Sequence, residues 1–377
     1  MNNEEKFELI TRNLEEVLTP EDLREMLEGK EKLKHYIGFE ISGKIHIGTG
    51  LMCMSKVKDF MDAGVDCSIF LADWHAWIND KLGGDREKIK EIAAGYFKEG
   101  LKVSFKCIGG DPEKLKFVLG SDLYHNNDNY WACLIDVSKN TTLGRMQRSI
   151  TIMGRKEGEA VDFAKLIYPP MQVADIFMQG INLAHAGLDQ KKAHVVAREV
   201  APKLKVVPLL NKSKEKIKPI AVHHHLILGL QKPSIWPVPK DKLQELWSNM
   251  KMSKSIPDSA IFIDDEPDEI RRKLNKAFCP EKEIEFNPVL DWAKYLIFKN
   301  ERAVLKVERP AKFGGNMAYN SYNNLESDFS EGKLHPMDLK NAVAGAIVEI
   351  LKPAREHFEK PKFKKMKEEM EKLIVTR

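Results

Sequence analysis

Polar and apolar positions alternate in short blocks along this chain, and the period of each block predicts an element. Residues 4–30 carry apolar positions at helical spacing and predict two helices. Thr19 suits the cap of the second, Pro20 its first position, and Glu21 and Asp22 its positive end. His35–Glu40 predicts a strand, followed by a glycine-containing turn and a helix from about Ile47 to Ala63. Val65–Ala72 is apolar without alternation, the pattern of a strand buried on both faces. Asp85–Gly100 predicts a helix and Val103–Cys107 a short strand. Strand and helix thus alternate, which implies a parallel sheet with right-handed crossovers.

Residues from about 112 to 165 break this rhythm and predict mainly helix, an insertion between two halves of the sheet. Val173–Ala184 and Ala193–Ala201 predict helices, and Lys205–Leu210 and Ile217–Val222 strand. Residues 229–240, with Pro233, Pro237 and Pro239, predict an extended connection. Pro267–Ala277 predicts a helix with Asp268 and Glu269 in its first turn. The remainder is helical, with Lys340–Leu351 and Lys360–Ile374 the clearest pieces. The expected fold is α/β: a parallel-sheet domain over 1–255 with a helical insertion at about 112–165, then an all-α domain over 256–377.

Composition narrows the class. Hydrophobic residues make up 43% of the 377 positions and charged residues 31%, which describes a soluble globular chain. No apolar run reaches the roughly 18 residues of a membrane span, and Met1–Lys6 lacks the start of a secretory signal, so a cytoplasmic protein is expected. Cys53, Cys67, Cys107, Cys133 and Cys279 are scattered and form no C-x-x-C pair, which argues for reduced thiols over disulfides or a zinc knuckle. The net charge of +4 is mild, but Lys352–Lys372 is basic, and Lys191, Lys192, Lys203 and Lys205 form a second group.

Two motifs carry candidate chemistry. In Ser42–Thr49, Gly43 and Gly48 flank His46 just after a predicted strand. A helix N-terminus there presents free N–H groups to phosphate, Gly48 clears space for a base or ribose, and His46 can donate to a phosphate oxygen. About 200 residues on, Lys251-Met252-Ser253-Lys254-Ser255 offers two flexible cations for phosphates that move during reaction. In this order the pair predicts a triphosphate held between a strand–helix turn and a mobile basic loop, as in activation of a carboxylic acid by ATP.

These motifs resemble the HIGH and KMSKS signatures of class I aminoacyl-tRNA synthetases. Tyr36-Ile37-Gly38-Phe39-Glu40, Tyr168–Ile176, Gly187-Leu188-Asp189-Gln190, Lys312–Gly315 and Leu334–Lys340 resemble the tyrosyl-tRNA synthetases of archaeal and eukaryotic type. The resemblance covers nearly the whole chain. It implies a Rossmann-like catalytic domain followed by a helical anticodon-binding domain, a homodimer, and L-tyrosine, ATP with Mg²⁺, and tRNA(Tyr) as partners. It also implies roles by position. Tyr36 and Asp175 would hold the phenol, and Tyr168, Gln172 and Gln190 the ammonium and carboxylate. Tyr168, Gln172 and Asp175 are spaced to share one helix face. Gly43, His46, Gly48, Thr49, Asp189, Lys251, Ser253 and Lys254 would bind ATP, with His46, Lys251 and Lys254 catalytic. Asp73, at a strand's carboxyl end with His75, could face the ammonium, and Phe70 could line the pocket. Lys191, Phe313, His335, Pro336, Met337 and Asp338 would meet tRNA, although capping of a helix is an alternative role for Asp338.

The chain also departs from the family pattern. Thr49 stands where the first signature has a second His, and Lys191 where archaeal relatives carry an Arg that makes bidentate contacts. Residues 211–248 are longer than in compact archaeal forms and hold His223-His224-His225, whose adjacent side chains point apart and predict a surface or structural role rather than a metal site. No metal site in the protein is expected. The expected function is tyrosine–tRNA ligase, with a tryptophan–tRNA ligase or a non-catalytic synthetase-like RNA-binding protein as the alternatives.

Overall fold

The computed structural model describes residues 1–239, 247, 250–254, 256–299 and 302–375. Ser255 of the second motif, the end of the 229–240 connection and part of the 211–248 segment lie outside the described residues.

The first half winds a six-stranded sheet. In chain order it contains α1 (Asn3–Thr11), β1 (Leu14–Leu18), α2 (Pro20–Glu28), β2 (Lys34–Glu40), α3 (Cys53–Asp62), β3 (Asp66–Ala72), α4 (Asp73–Ile78), α5 (Arg86–Ile92), α6 (Lys98–Cys107) and β4 (Lys116–Leu119). Then come α7 (Gly120–Tyr124), α8 (Asp128–Lys139), α9 (Leu143–Ser149), α10 (Phe163–Met178), β5 (Leu183–Gly187), α11 (Lys191–Val200) and β6 (Ile220–His224). The sheet order is β1-β6-β5-β2-β3-β4. Every pairing is parallel except β1 against β6. From β2 the chain runs outward through β3 and β4, and from β5 it runs the other way through β6. The reversal leaves a crevice beyond the carboxyl ends of β2 and β5, where open α/β sheets bind ligands.

The elements form for local reasons. Thr19 Oγ1 accepts from Asp22 N at 3.2 Å and caps α2, as its Thr-Pro-Glu-Asp start requires. Ile69, Phe70 and Leu71 of β3 are buried on both sheet faces. Gly100 of α6 lets the first motif sit close: a Cβ there would lie 2.5 Å from Ile45 Cδ1. An added methyl would cost about 1–3 kcal/mol of overpacking.

Several expected boundaries shift. Residues 4–30 hold two helices with β1 between them, closing the sheet's edge antiparallel on β6. Val103–Cys107 is the last turn of α6 rather than a strand, and the strand it anticipated is β4, inside the 112–165 stretch. Val173–Ala184 divides between α10 and β5. Lys205–Leu210 contributes only a bridge from Leu210 to Lys216, and the strand expected at Ile217–Val222 is β6.

The C-terminal part holds α12 (Pro267–Lys276), α13 (Pro288–Trp292), β7 (Leu305–Val307), β8 (Met317–Tyr319), α14 (Tyr322–Ser330), α15 (Pro336–Phe358) and α16 (Pro361–Val375). The expectation of an all-α domain is corrected by the antiparallel β7–β8 hairpin. One hydrophobic core runs from Ile10 through the sheet to Phe358 and Met370, so α15 and α16 pack on the same interior as α3 and α6.

Candidate active site

The crevice is a cavity of about 1010 Å³. Its walls include Tyr36, His46, Gly48, Thr49, Tyr168, Gln172, Asp175, Asp189, Gln190, Lys251, Ser253 and Lys254. Residues separated by more than 200 positions thus meet in one space.

At its closed end lies Asp175, on α10 and 1% exposed. The Tyr124 and Tyr130 hydroxyls each donate to Asp175 Oδ1 at 3.1 Å. Asp175 Oδ2 faces His75 Nε2 at 3.6 Å, beyond hydrogen-bonding distance. Neither His75 ring nitrogen has a hydrogen-bond partner, and burial holds the ring neutral with its pKa down to about 3. Burial raises the Asp175 carboxyl well above its ordinary range, and the two tyrosine donors oppose that. Burial, then the charge of Asp175, keeps Tyr36 protonated. The apolar wall beside Tyr36 is Phe70, whose ring meets it edge-on at 6.3 Å. One carboxylate oxygen is therefore saturated by protein hydroxyls while the other stands ready for a donor.

Further out, Gln172 Nε2 donates to Gln190 Oε1 at 3.3 Å, and Gln190 Nε2 to Ile152 O at 2.9 Å. Gln172 Oε1 is buried with no partner, an acceptor suited to an ammonium group. The His75 and Tyr168 rings meet edge-on at 4.5 Å.

The first motif turns from β2 into α3. His46 Nδ1 accepts from Thr49 N at 3.3 Å, and Nε2 lies 3.4 Å from Thr49 Oγ1. Thr49 therefore orients the imidazole. Burial, then Lys254 and Lys251, push the His46 pKa down to about 3, so it can act as a neutral donor to phosphate. A Cβ on Gly48 would lie 3.0 Å from the His46 ring, so the glycine is what lets that ring fold back.

The second motif is stitched to the first through two strips of chain. Ile47 N donates to Ile261 O at 2.9 Å and Ile263 N to Ile45 O at 3.0 Å. Met252 N donates to Ile227 O at 2.9 Å. Lys251 Nζ lies 2.6 Å from Asp189 Oδ2, and Lys254 Nζ donates to Ser42 Oγ at 3.0 Å. Burial lowers the Lys254 pKa to about 8 against the pull of Glu40.

Other expected residues fall elsewhere. Asp73 does not line the cavity, and its carboxylate accepts from the Ser121 backbone N–H at 3.0 Å and from the Ser121 hydroxyl. Gly43 supplies a turn at φ 108 but no cavity wall. Lys191 opens α11 and pairs with Glu16. Phe313 is exposed, and Arg309 ties its loop to the approach of α15 by donating to Gly315 O at 2.8 Å and Lys333 O at 3.0 Å. The cap of α15 is His335, whose Nδ1 accepts from Met337 N at 3.1 Å; Asp338 sits in the first turn instead.

The chain belongs to the class I tRNA synthetases, since the family described as "tRNA synthetases class I (W and Y)" matches residues 28–352. Within that class its relatives are tyrosine enzymes of archaeal type. Over 96% of both chains it is 61% identical to a tyrosine–tRNA ligase of Thermococcus sibiricus and 58% identical to one of Pyrococcus abyssi. The tyrosyl-tRNA synthetase of Pyrococcus horikoshii, solved with L-tyrosine, superposes with a TM-score of 0.95 at 56% identity, over 99% of this chain and 100% of that one. A tryptophanyl-tRNA synthetase of Aeropyrum pernix, at 20% identity and a TM-score of 0.66, shares the fold.

Proposed function

We propose that this cavity carries out the reaction of a tyrosine–tRNA ligase. The carboxylate of L-tyrosine attacks the α-phosphorus of ATP, the α–β anhydride bond breaks, and pyrophosphate leaves tyrosyl-adenylate. The terminal ribose hydroxyl of tRNA(Tyr) then attacks the adenylate carbonyl and releases AMP. Asp175 Oδ2 accepts a hydrogen bond from the phenol hydroxyl of the substrate with Tyr36 beside it, and the unpartnered Gln172 Oε1 accepts from the ammonium. Asp189 binds the ribose. His46, Lys251 and Lys254 stabilise charge on the phosphates, because phosphoryl transfer depends on positioning and electrostatics. ATP enters as its magnesium complex, the ion carried by the phosphates. Among the described residues no group of three or more His, Cys, Asp or Glu side chains is arranged to hold a metal.

The observation that carries this reading is the half-satisfied Asp175. Two fixed tyrosines fill one oxygen, and the open oxygen, with the Tyr36 hydroxyl lining the same cavity, is an acceptor for a phenol. The deciding experiment is ATP–pyrophosphate exchange with each amino acid. Exchange with tyrosine alone is expected, and exchange with tryptophan alone would overturn the reading.

Phe313 and the His335–Asp338 turn would read the anticodon, Lys191 would approach the acceptor end, and residues 256–377 would form the reading domain. The protein would be a cytoplasmic homodimer; among the described residues no helix is long and apolar enough to cross a membrane. Trp131 and Ile135 on α8 and Leu143 on α9 are exposed apolar side chains of the kind a partner subunit covers.

A further inference from the structure

The run His223-His224-His225 has no part in the chemistry above, and its three imidazoles enter separate networks. His223 Nε2 meets His194 at 3.0 Å and its Nδ1 meets Glu16 at 2.9 Å. His224 Nδ1 meets His185 at 2.9 Å. All three are buried, so none serves the surface.

His225 differs from the others because both ring nitrogens face carboxylates. Nδ1 lies 2.7 Å from Glu15 Oε1 and Nε2 lies 2.7 Å from Asp291 Oδ1. Carboxylates only accept, so both nitrogens carry protons and the ring is an imidazolium. Tyr295 stacks on it at 3.9 Å and donates to Glu15 Oε1 at 3.2 Å, with Lys294 over the Tyr295 ring. The Trp247 indole closes the remaining side at 5.2 Å.

Asp291 connects this ring to the triphosphate loop. Its other oxygen, Oδ2, accepts from Leu228 N at 2.8 Å. Trp292 Nε1 donates to Leu228 O at 2.7 Å, so both backbone groups of Leu228 are held by α13. Residues 227–229 are the rail on which the second motif rests. Met252 N donates to Ile227 O, Gly229 N to Met250 O at 2.6 Å, and Leu228 pairs with Lys251 as an isolated bridge. A chain of direct contacts runs from His225 through Asp291 and Leu228 to Lys251.

We infer that His225 is a positioning residue for tyrosine activation, fixing Asp291 and through it the rail that places Lys251 against the ATP phosphates. The inference rests on the ligase reading, but it concerns the nucleotide half of the cavity alone. None of these contacts reaches Asp175 or Gln172.

The test is steady-state tyrosine-dependent pyrophosphate exchange with His225→Gln and Glu15→Gln, beside calorimetric binding of L-tyrosine without ATP. Glu15 is partly exposed and its substitution removes only the outer partner of the ring. In His225→Gln the KM for ATP is expected to rise roughly tenfold to a hundredfold, the scale of a misplaced catalytic group. In Glu15→Gln it rises less, and in both variants tyrosine affinity is unchanged. An unchanged KM for ATP in Glu15→Gln, or equal weakening of ATP and tyrosine in either variant, would overturn the inference. A wild-type protein without tyrosine-dependent exchange would instead overturn the ligase reading.

Discussion

Lys251 and Asp189 form an ion pair of 2.6 Å in the wall of the cavity, joining the second motif to the loop after β5. Both groups are proposed to meet ATP, one at phosphate and one at ribose, and on that proposal nucleotide entry exchanges this contact for two others. The pair is partly exposed, and such pairs contribute about 0–1 kcal/mol to stability. Lys251→Ala and Asp189→Ala are therefore expected to leave thermal melting almost unchanged while each raises the KM for ATP in exchange assays. A double variant no worse than the poorer single one would show that the two act as one unit.

Asp175→Asn keeps an oxygen for Tyr124 and Tyr130 but turns the open oxygen into a donor. The wild-type carboxyl has a raised pKa, so its burial penalises the folded state above that pKa and not below the unfolded value. The amide removes the penalty, and the variant should melt no lower than wild type at pH 8. Tyrosine binding should weaken by about 1–3 kcal/mol, roughly tenfold to a hundredfold, with phenylalanine unaffected. Calorimetry with both amino acids checks this.

Gly48→Ala sets a methyl 3.0 Å from the His46 ring and 3.3 Å from Ile227 Cγ1. One of the two must give, at an overpacking cost of about 1–3 kcal/mol. ATP-dependent exchange is expected to fall and tyrosine binding to persist.

Acid should unfold this protein through its histidines. Burial lowers His35, His46 and His75 to about 3 and His224 to about 4, from 6.5. The unfolded chain takes up protons that the folded one refuses, so this stability is fully present above pH 6.5 and is lost as pH falls toward 4 and below. His225 acts in the opposite sense. Burial alone would lower its pKa, but Asp291 and Glu15 carry it up to about 9. Its contribution is complete below 6.5 and lost as pH rises through 9. Melting followed from pH 4 to 10 should peak near neutrality; a flat profile from 7 to 4.5 would contradict the burial of these rings.

Phe313→Ala removes an exposed ring from the Arg309-tethered loop. Loss of one stacked base costs about 1–3 kcal/mol. Affinity for tRNA should fall by that amount in filter binding, with pyrophosphate exchange intact.

Much of the catalytic half was legible because motif and topology coincide: a strand, a glycine turn and a helix announced β2, the first motif and α3. The residues proposed to meet phosphate were found from local sequence. The surroundings of Asp175 did not, since Tyr124 and Tyr130 lie in the helical stretch and reach it only through folding, and no periodicity marks a residue that meets its partner 45 or 51 positions away. Val103–Cys107 misleads because Val and Phe favour strands, yet α6 is already under way and buries both in the core. β4 and the β7–β8 hairpin are too short for alternation to register.

Glu371 of α16 sits 2.6 Å from Lys44 of the first motif, and Glu371 and Leu373 reach the cavity wall. α15 begins at the turn proposed to meet the anticodon, spans about 35 Å at 1.5 Å per residue, and passes directly into α16. The doorway proposed for nucleotide is thus framed by the far end of the helix pair that would feel the RNA. Excising α16 should leave that doorway ajar and hasten nucleotide exchange, even though no group that touches the reacting atoms has been removed.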